Sequence, residues 1–284
     1  MQKVALLVFA ILVVAACVQL PFGRQQVGIP GETHVENPDM NVEVVAFPAE
    51  VKGGRNISVT WNITNKQTTN RLWNVNINVY DQCLFSGDAT KHFDELRENR
   101  TQTWTWRWSS QTTQFERDCN IKFKVSWESN ATIIQDINVL SSTEYYTREQ
   151  TGTLAAMAGT TTASTNPVTI TLRFSDPLPW ENNTTVYMYI DIADTGGGFI
   201  DKLPKGSIRI TLPNNLKGDC DGYKPKGNEL ILDRDLNFIN KVAPSLTCTF
   251  QTTTDRPIST GTLSITANYK YDLDNSFTVK VKTK

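Results

Sequence analysis

Short runs in which apolar and polar side chains alternate at period two recur from Asn41 onward, and this pattern most constrains the fold. Val42–Phe47, Ile57–Thr64, Trp73–Tyr80, Gln102–Trp108 and Ile121–Trp127 each place their apolar residues on one face of an extended backbone. That periodicity predicts half-buried strands rather than helices. Turn material separates the runs: Gly53-Gly54, Asn65–Asn70, Ser86-Gly87-Asp88 and Ser109–Thr113. Ala131–Leu140 closes the first half as a further strand. The exception is Asp88–Arg100, which is expected to form a helical turn across one end. The second half repeats the pattern in Val168–Phe174, Val186–Ile192, Ser207–Leu212, Glu229–Leu232, Thr247–Phe250, Thr262–Tyr271 and Ser276–Val281. Asp272–Asn275 is expected to turn the chain between the last two. In Thr262–Tyr271 the faces separate cleanly: Leu263, Ile265, Ala267, Tyr269 and Tyr271 share one, and Ser264, Thr266, Asn268 and Lys270 the other.

Of the five cysteines, Cys17 stands apart, and the other four fall as sequential pairs, one pair in each half. In an exported chain this predicts Cys83–Cys119 and Cys220–Cys248 disulfides. Each would close a loop worth about 3–4 kcal/mol of unfolded-state entropy. Four free buried thiols or a zinc site are the alternatives. No cysteine forms a CxxC and neither His34 nor His92 neighbours one, which counts against zinc. Many short strands with one internal bridge per half predict an all-β fold of two tandem immunoglobulin-like β-sandwich domains, 41–142 and 166–284, behind an N-terminal signal or anchor helix. Between them, 143–165 is polar and then small and hydroxyl-rich, and reads as a linker.

At the N-terminus, Lys3 precedes an unbroken apolar run, Val4–Ala16, shorter than the roughly 20 residues a bilayer-spanning helix needs and suited to a signal-peptide core. It ends in Val14-Ala15-Ala16-Cys17, which resembles the lipobox of prokaryotic lipoproteins. The resemblance implies a signal peptide over 1–16 and a lipidated Cys17 as the mature N-terminus. An uncleaved signal anchor continuing to Pro21, or free secretion, are the other readings. All three place the body outside the cytoplasm, the first two at the outer face of the membrane. The stretch 17–40, with Gly28, Pro30, Gly31 and Pro38 and no apolar periodicity, reads as a flexible tether.

Phe47-Pro48-Ala49-Glu50-Val51-Lys52-Gly53-Gly54, then Ile57–Asn65 and Val75–Tyr80, is similar to CARDB-type adhesion-related domains and other immunoglobulin-like modules of bacterial and archaeal surfaces. What the resemblance implies is a binding or architectural role. The charge balance, 28 basic against 29 acidic side chains, gives no electrostatic attraction to nucleic acid. Asn56, Asn62, Asn99, Asn130, Asn182 and Asn183 head Asn-X-Ser/Thr sequons and are candidate glycosylation sites on an archaeal or eukaryotic surface.

Three groups of residues invite a chemical reading, each beside a plainer one. Asp194-Thr195-Gly196 after a hydrophobic strand resembles the catalytic element of retropepsin-type aspartic proteases, where two carboxylates share a proton. A single copy would require a homodimer, and a strand ending in a glycine-rich turn explains the motif equally well. Trp104, Trp106 and Trp108 share one strand face. Turned outward they would form a stacking platform for sugars; turned inward, the preferred reading, they fill the core beside Trp61, Trp73 and Trp127. Acidic groups at Asp191/Asp194/Asp201, Asp219/Asp221 and Asp272/Asp274 match no fixed Ca²⁺ pattern and read as solvated turns. No catalytic residue, metal or cofactor is therefore expected. The expected role is a non-enzymatic surface lipoprotein for adhesion, envelope architecture or assembly with envelope proteins, itself included. The alternatives are a carbohydrate-binding module and, more remotely, the dimeric protease.

Overall fold

A computed structural model describes residues 31–284. The signal segment and Cys17 lie outside the described residues, as does most of the expected tether.

The chain is all-β apart from one short helix and a 3₁₀ turn. The first half runs through β1 (Glu32–Glu36), β2 (Met40–Phe47), β3 (Glu50–Lys52), β4 (Asn56–Asn65), β5 (Leu72–Asp81), β6 (Phe85–Ser86), β7 (Thr90–Leu96), β8 (Thr101–Ser110) and β9 (Arg117–Leu140). After helix α1 (Ser142–Gln150) come β10 (Thr161–Ala163), β11 (Val168–Phe174), β12 (Trp180–Glu181), β13 (Thr185–Asp194), β14 (Lys202–Leu203) and β15 (Ile208–Thr211). The last are β16 (Leu216–Cys220), β17 (Tyr223–Lys226), β18 (Glu229–Leu232), β19 (Leu236–Asn237), β20 (Leu246–Thr252) and β21 (Ile258–Lys282).

Two strands organise everything else. β9 and β21 pair antiparallel without a break from Ile258↔Leu140 to Val281↔Arg117. They form the spine of one sheet ordered β17-β18-β15-β21-β9-β5-β7, with β3, β10 and β12 attached along it. At about 3.3 Å per residue, a strand of this length reaches close to 80 Å. One half of the spine is covered by the sheet β1-β2-β4-β8-β6, making lobe 1. The other half packs with β11-β13-β20-β16, making lobe 2.

The spine departs from expectation twice. Glu128–Asn130 does not interrupt β9, and Asp272–Asn275 is not a turn: it pairs residue for residue with Ser126, Val125, Lys124 and Phe123. The charged residues are tolerated because Glu128, Asp272 and Asp274 face outward, where Lys124 lies 3.6 Å from Asp272 and 3.8 Å from Asp274 across the strands. Consequently Phe277, Val279 and Val281, at the end of the sequence, are buried with lobe 1 rather than lobe 2. The expected boundary at 143–165 coincides with no break in the sheet. That stretch holds α1, capped by the Ser141 hydroxyl accepting from Glu144 N, then the 3₁₀ turn Leu154–Met157, and β10, which pairs back onto β9. Two further expectations are corrected. Asp88–Arg100 contains strand β7, paired with β5, because Phe93 and Leu96 turn toward lobe 1. Residues 31–40 of the expected tether form β1 and a hairpin, with Val35 against the core and Asn37 N donating to Met40 O.

Candidate functional site

The three tryptophans expected on one face of β8 point into lobe 1. Trp108 is fully buried, Trp106 nearly so, and Trp104 partly. Trp61 packs among them, 5.9 Å from Trp104 and 5.4 Å from Trp106. It meets the facing sheet at Phe123 (5.0 Å) and Phe277 (6.2 Å). Burying Trp104, Trp106 and Trp108 in this way is worth more than exposing them as a platform. Cys83–Cys119 and Cys220–Cys248 are disulfides, one in each lobe, the second joining directly opposed residues of β16 and β20.

Asp194 offers no carboxylate to a partner. Its side chain is 1% exposed. Oδ1 accepts from Gly196 N (2.9 Å) and from the Tyr271 hydroxyl (2.9 Å), and Lys241 Nζ lies 3.7 Å from Oδ2. The glycines that follow serve packing, since a Cβ at Gly196 or Gly198 would collide with Tyr271. The Asp-Thr-Gly motif is thus a turn that lets a tyrosine approach. The other acids are spoken for locally. Asp191 is held below the usual carboxylate range chiefly by its hydrogen bond from Arg173, Asp219 Oδ1 accepts from Cys220 N, and Asp221 meets Arg234. Among the described residues, no group of three potential metal ligands converges.

Of the sequon asparagines, Asn56, Asn99 and Asn183 are exposed, the last two in turns at positive φ. Asn62 donates to Glu43 and accepts from Thr103, and Asn182 accepts from Thr254 N.

What the sequence did not reveal lies where the lobes meet. A groove of about 770 Å³ opens there on the outer face of the spine. Trp73, Glu128 and Lys270 sit opposite one another on β5, β9 and β21, and Asn130 faces Asn268 in the next row. Asp201–Ser207 forms the far wall, its Lys202 and Lys205 tied to Asp235 and Asp233. Trp73 was expected to point inward with Val75, Ile77 and Val79. A bulge turns it out: Trp73↔Glu128 is followed by Asn76↔Ser126, and the intervening Asn74 has φ of 50°. Asparagine tolerates that left-handed backbone, and the extra residue flips the phase of the strand. Trp73 is left 46% exposed.

Behind the groove, on the inner face of the spine, is a buried carboxylate surrounded by neutral donors. Asp39, 0% exposed, follows β1. Its Oδ1 accepts from Gln67 Nε2 (2.8 Å) and Asn166 Nδ2 (3.0 Å), its Oδ2 from Trp127 Nε1 (3.0 Å) and the Tyr269 hydroxyl (3.0 Å). Burial holds the Asp39 carboxyl above its ordinary range, against the opposing pull of these hydrogen bonds. Tyr269 and Tyr271 are pushed up as well, first by burial and then by their neighbouring carboxylates. The two tyrosines, two residues apart on β21, thus bind one aspartate each, Asp39 from the lobe 1 hairpin and Asp194 from β13 of lobe 2. This polar layer fixes the floor against which the groove is built.

No protein-family model matches the chain, and no curated protein shows significant similarity to it. Among solved structures, the crystal structure of a protein of unknown function from Porphyromonas gingivalis W83 is matched over 75% of this chain and 83% of that one, at 10% identity and a TM-score of 0.21.

Proposed function

We propose that the protein is a non-enzymatic surface protein, held through its N-terminus at the outer face of the cell membrane, that grips another envelope protein or a second copy of itself at the groove between the lobes. The observation that carries this reading is the groove itself. It is concave and of mixed chemistry, with an aromatic ring beside ammonium, carboxylate and amide groups, and it is built across strands that both lobes share. A site on a rigid frame binds with little ordering cost. Immunoglobulin-like ancestry of both lobes, a lipidated Cys17, and glycans at the exposed Asn56, Asn99 and Asn183 belong to the same proposal.

A second reading has a specific observation in its favour. The half-exposed Trp73 with Glu128, Asn130 and Lys270 at its side is the combination of stacking face and hydrogen-bonding rim that a sugar ring requires. The two readings separate by cross-linking mass spectrometry on intact cells. Cross-links from Lys202, Lys205 and Lys270 to an envelope protein, or to a second copy, support the assembly role. Absence of protein cross-links at these lysines, together with glycan-array binding that Trp73→Ala abolishes, supports the carbohydrate role. Neither result would remove the groove as the site.

A further inference from the structure

The two most exposed large apolar side chains among the described residues are Phe115 at 77% and Phe47 at 76%. Both lie toward the end of lobe 1 remote from the groove, Phe47 at the end of β2 and Phe115 in the loop that leads into β9. Phe47 ends β2 and a short turn leads into β3; Gly53, which follows β3, packs closely against Thr112 in the loop that carries Phe115. That loop is ordered by its own contacts: Gln111 N donates to Leu84 O, and the Thr113 hydroxyl accepts from Phe115 N.

The chain also enters the fold at this tip. Gly31 N donates to Thr278 O (2.7 Å), and Ala46 N donates to Gly31 O (2.6 Å), so Gly31 is clasped one residue away from Phe47. Its φ of 88° and the closeness of Ala46 O and Ala49 leave room for no side chain there. The thirty residues before it, with the apolar run Val4–Ala16 and Cys17, therefore join the body beside Phe47, at the end of lobe 1 that also carries Phe115. Because residues 31–40 are taken up by β1 and its hairpin, only 18–30 remain as spacer. Those residues span at most about 45 Å even when fully extended.

We propose that the lobe 1 tip rests on the lipid surface to which the N-terminus is anchored, with Phe47 and Phe115 inserted among the headgroups. This rests on the anchored-surface reading above. Glu50 and Glu116 are neutralised by Lys282 and Lys280, which leaves Lys52, Arg55 and Arg117 exposed around the rings against Glu32 and Asp118. Net charge at the tip is slight, so aromatic insertion carries the contact and basic side chains accompany it. The body then stands upright, with the groove opening sideways partway up the spine, clear of the membrane, and α1 at the outermost end.

The test uses the full chain in its own membrane, with the photoreactive residue p-benzoylphenylalanine placed at Phe47, at Phe115 or, as a control on α1 at the opposite end, at Tyr146. All three positions are exposed, so folding is not at stake. The expected result is lipid adducts at 47 and 115 and their loss at 146. A membrane-bound chain that gives protein adducts or none at 47 and 115 overturns the tip contact while leaving the anchor standing. A chain absent from the membrane fraction overturns both.

Discussion

The core of lobe 1 and the junction between the lobes are both closed to solvent, but they are held by opposite means. Around Trp61 the partners are Trp104, Trp106, Phe123 and Phe277, rings whose attraction has little directionality. Around Asp39 the partners are Gln67, Asn166, Trp127 and Tyr269, each aimed at one carboxylate oxygen. The aromatic core supplies stability in proportion to the surface it removes from water. The polar junction contributes less net free energy but demands one geometry, because a misplaced donor there is left unpaired. Bringing five segments of the chain to one acceptor therefore sets how the hairpin after β1, the β4–β5 loop and the start of lobe 2 lie on the shared strands.

The comparison is tested most forcefully by Trp61→Ala, which should cost roughly 3–5 kcal/mol in urea unfolding, as for other fully buried large aromatics. A loss under about 1 kcal/mol would mean that the core can collapse onto the gap. Asp39→Ala should follow at about 3 kcal/mol, since it orphans four buried donors at once. Its hydrogen exchange should rise locally at the junction, whereas Trp61→Ala should raise exchange throughout lobe 1. Uniform exchange in both variants would dissolve the distinction.

Titration sharpens it further. Burial raises the Asp39 carboxyl in the folded protein, so between its unfolded value, about 3.9, and the higher folded one the native state binds the extra proton. Its favourable contribution is complete below that window and is lost as pH rises through it. Asp191, whose carboxyl is depressed, works in the opposite sense but is common to both proteins when wild type is compared with Asp39→Asn. The stability of wild type relative to Asp39→Asn should therefore grow as pH falls; a difference independent of pH would refute a raised Asp39. Asp194→Asn should cost about 1 kcal/mol, because the Oδ1 contacts to Gly196 and Tyr271 persist and only the charge is removed. Smallest of all, Trp73→Ala should leave the melting temperature nearly unchanged, within about 0.5 kcal/mol, while abolishing whatever binding the groove performs. A large stability loss there would make Trp73 a packing residue.

Much of this architecture was legible in alternation alone. The faces assigned to Leu263, Ile265, Ala267, Tyr269 and Tyr271 are the buried ones, and both disulfides pair within their own halves. Period-two patterning fails where a strand passes from one lobe to the other. Glu128–Asn130 and Asp272–Asn275 look like turns because their polarity reflects the groove and the outer face, not a break in pairing. The groove was hidden for a related reason: its aromatic residue owes its direction to one bulge at Asn74. Asp39 gave no signal because its donors come from four distant places in the chain. Asp194-Thr195-Gly196 gave a false one, since a tight turn against an aromatic ring needs the same short residues as a catalytic loop.

The shared strand β21 also sets an order in time. Within lobe 1 it lies between β3 and β9, so the middle of that sheet is supplied by residues 271–282, which are made after the other strands of lobe 2. Amino-terminal domains ordinarily close while the rest of the chain is still being made. Here the earlier-made lobe must wait, its apolar face and the edge of β9 unsheltered, until residues 271–282 have emerged. Lobe 1, though first in the sequence, therefore cannot close before the strands of lobe 2 have been made.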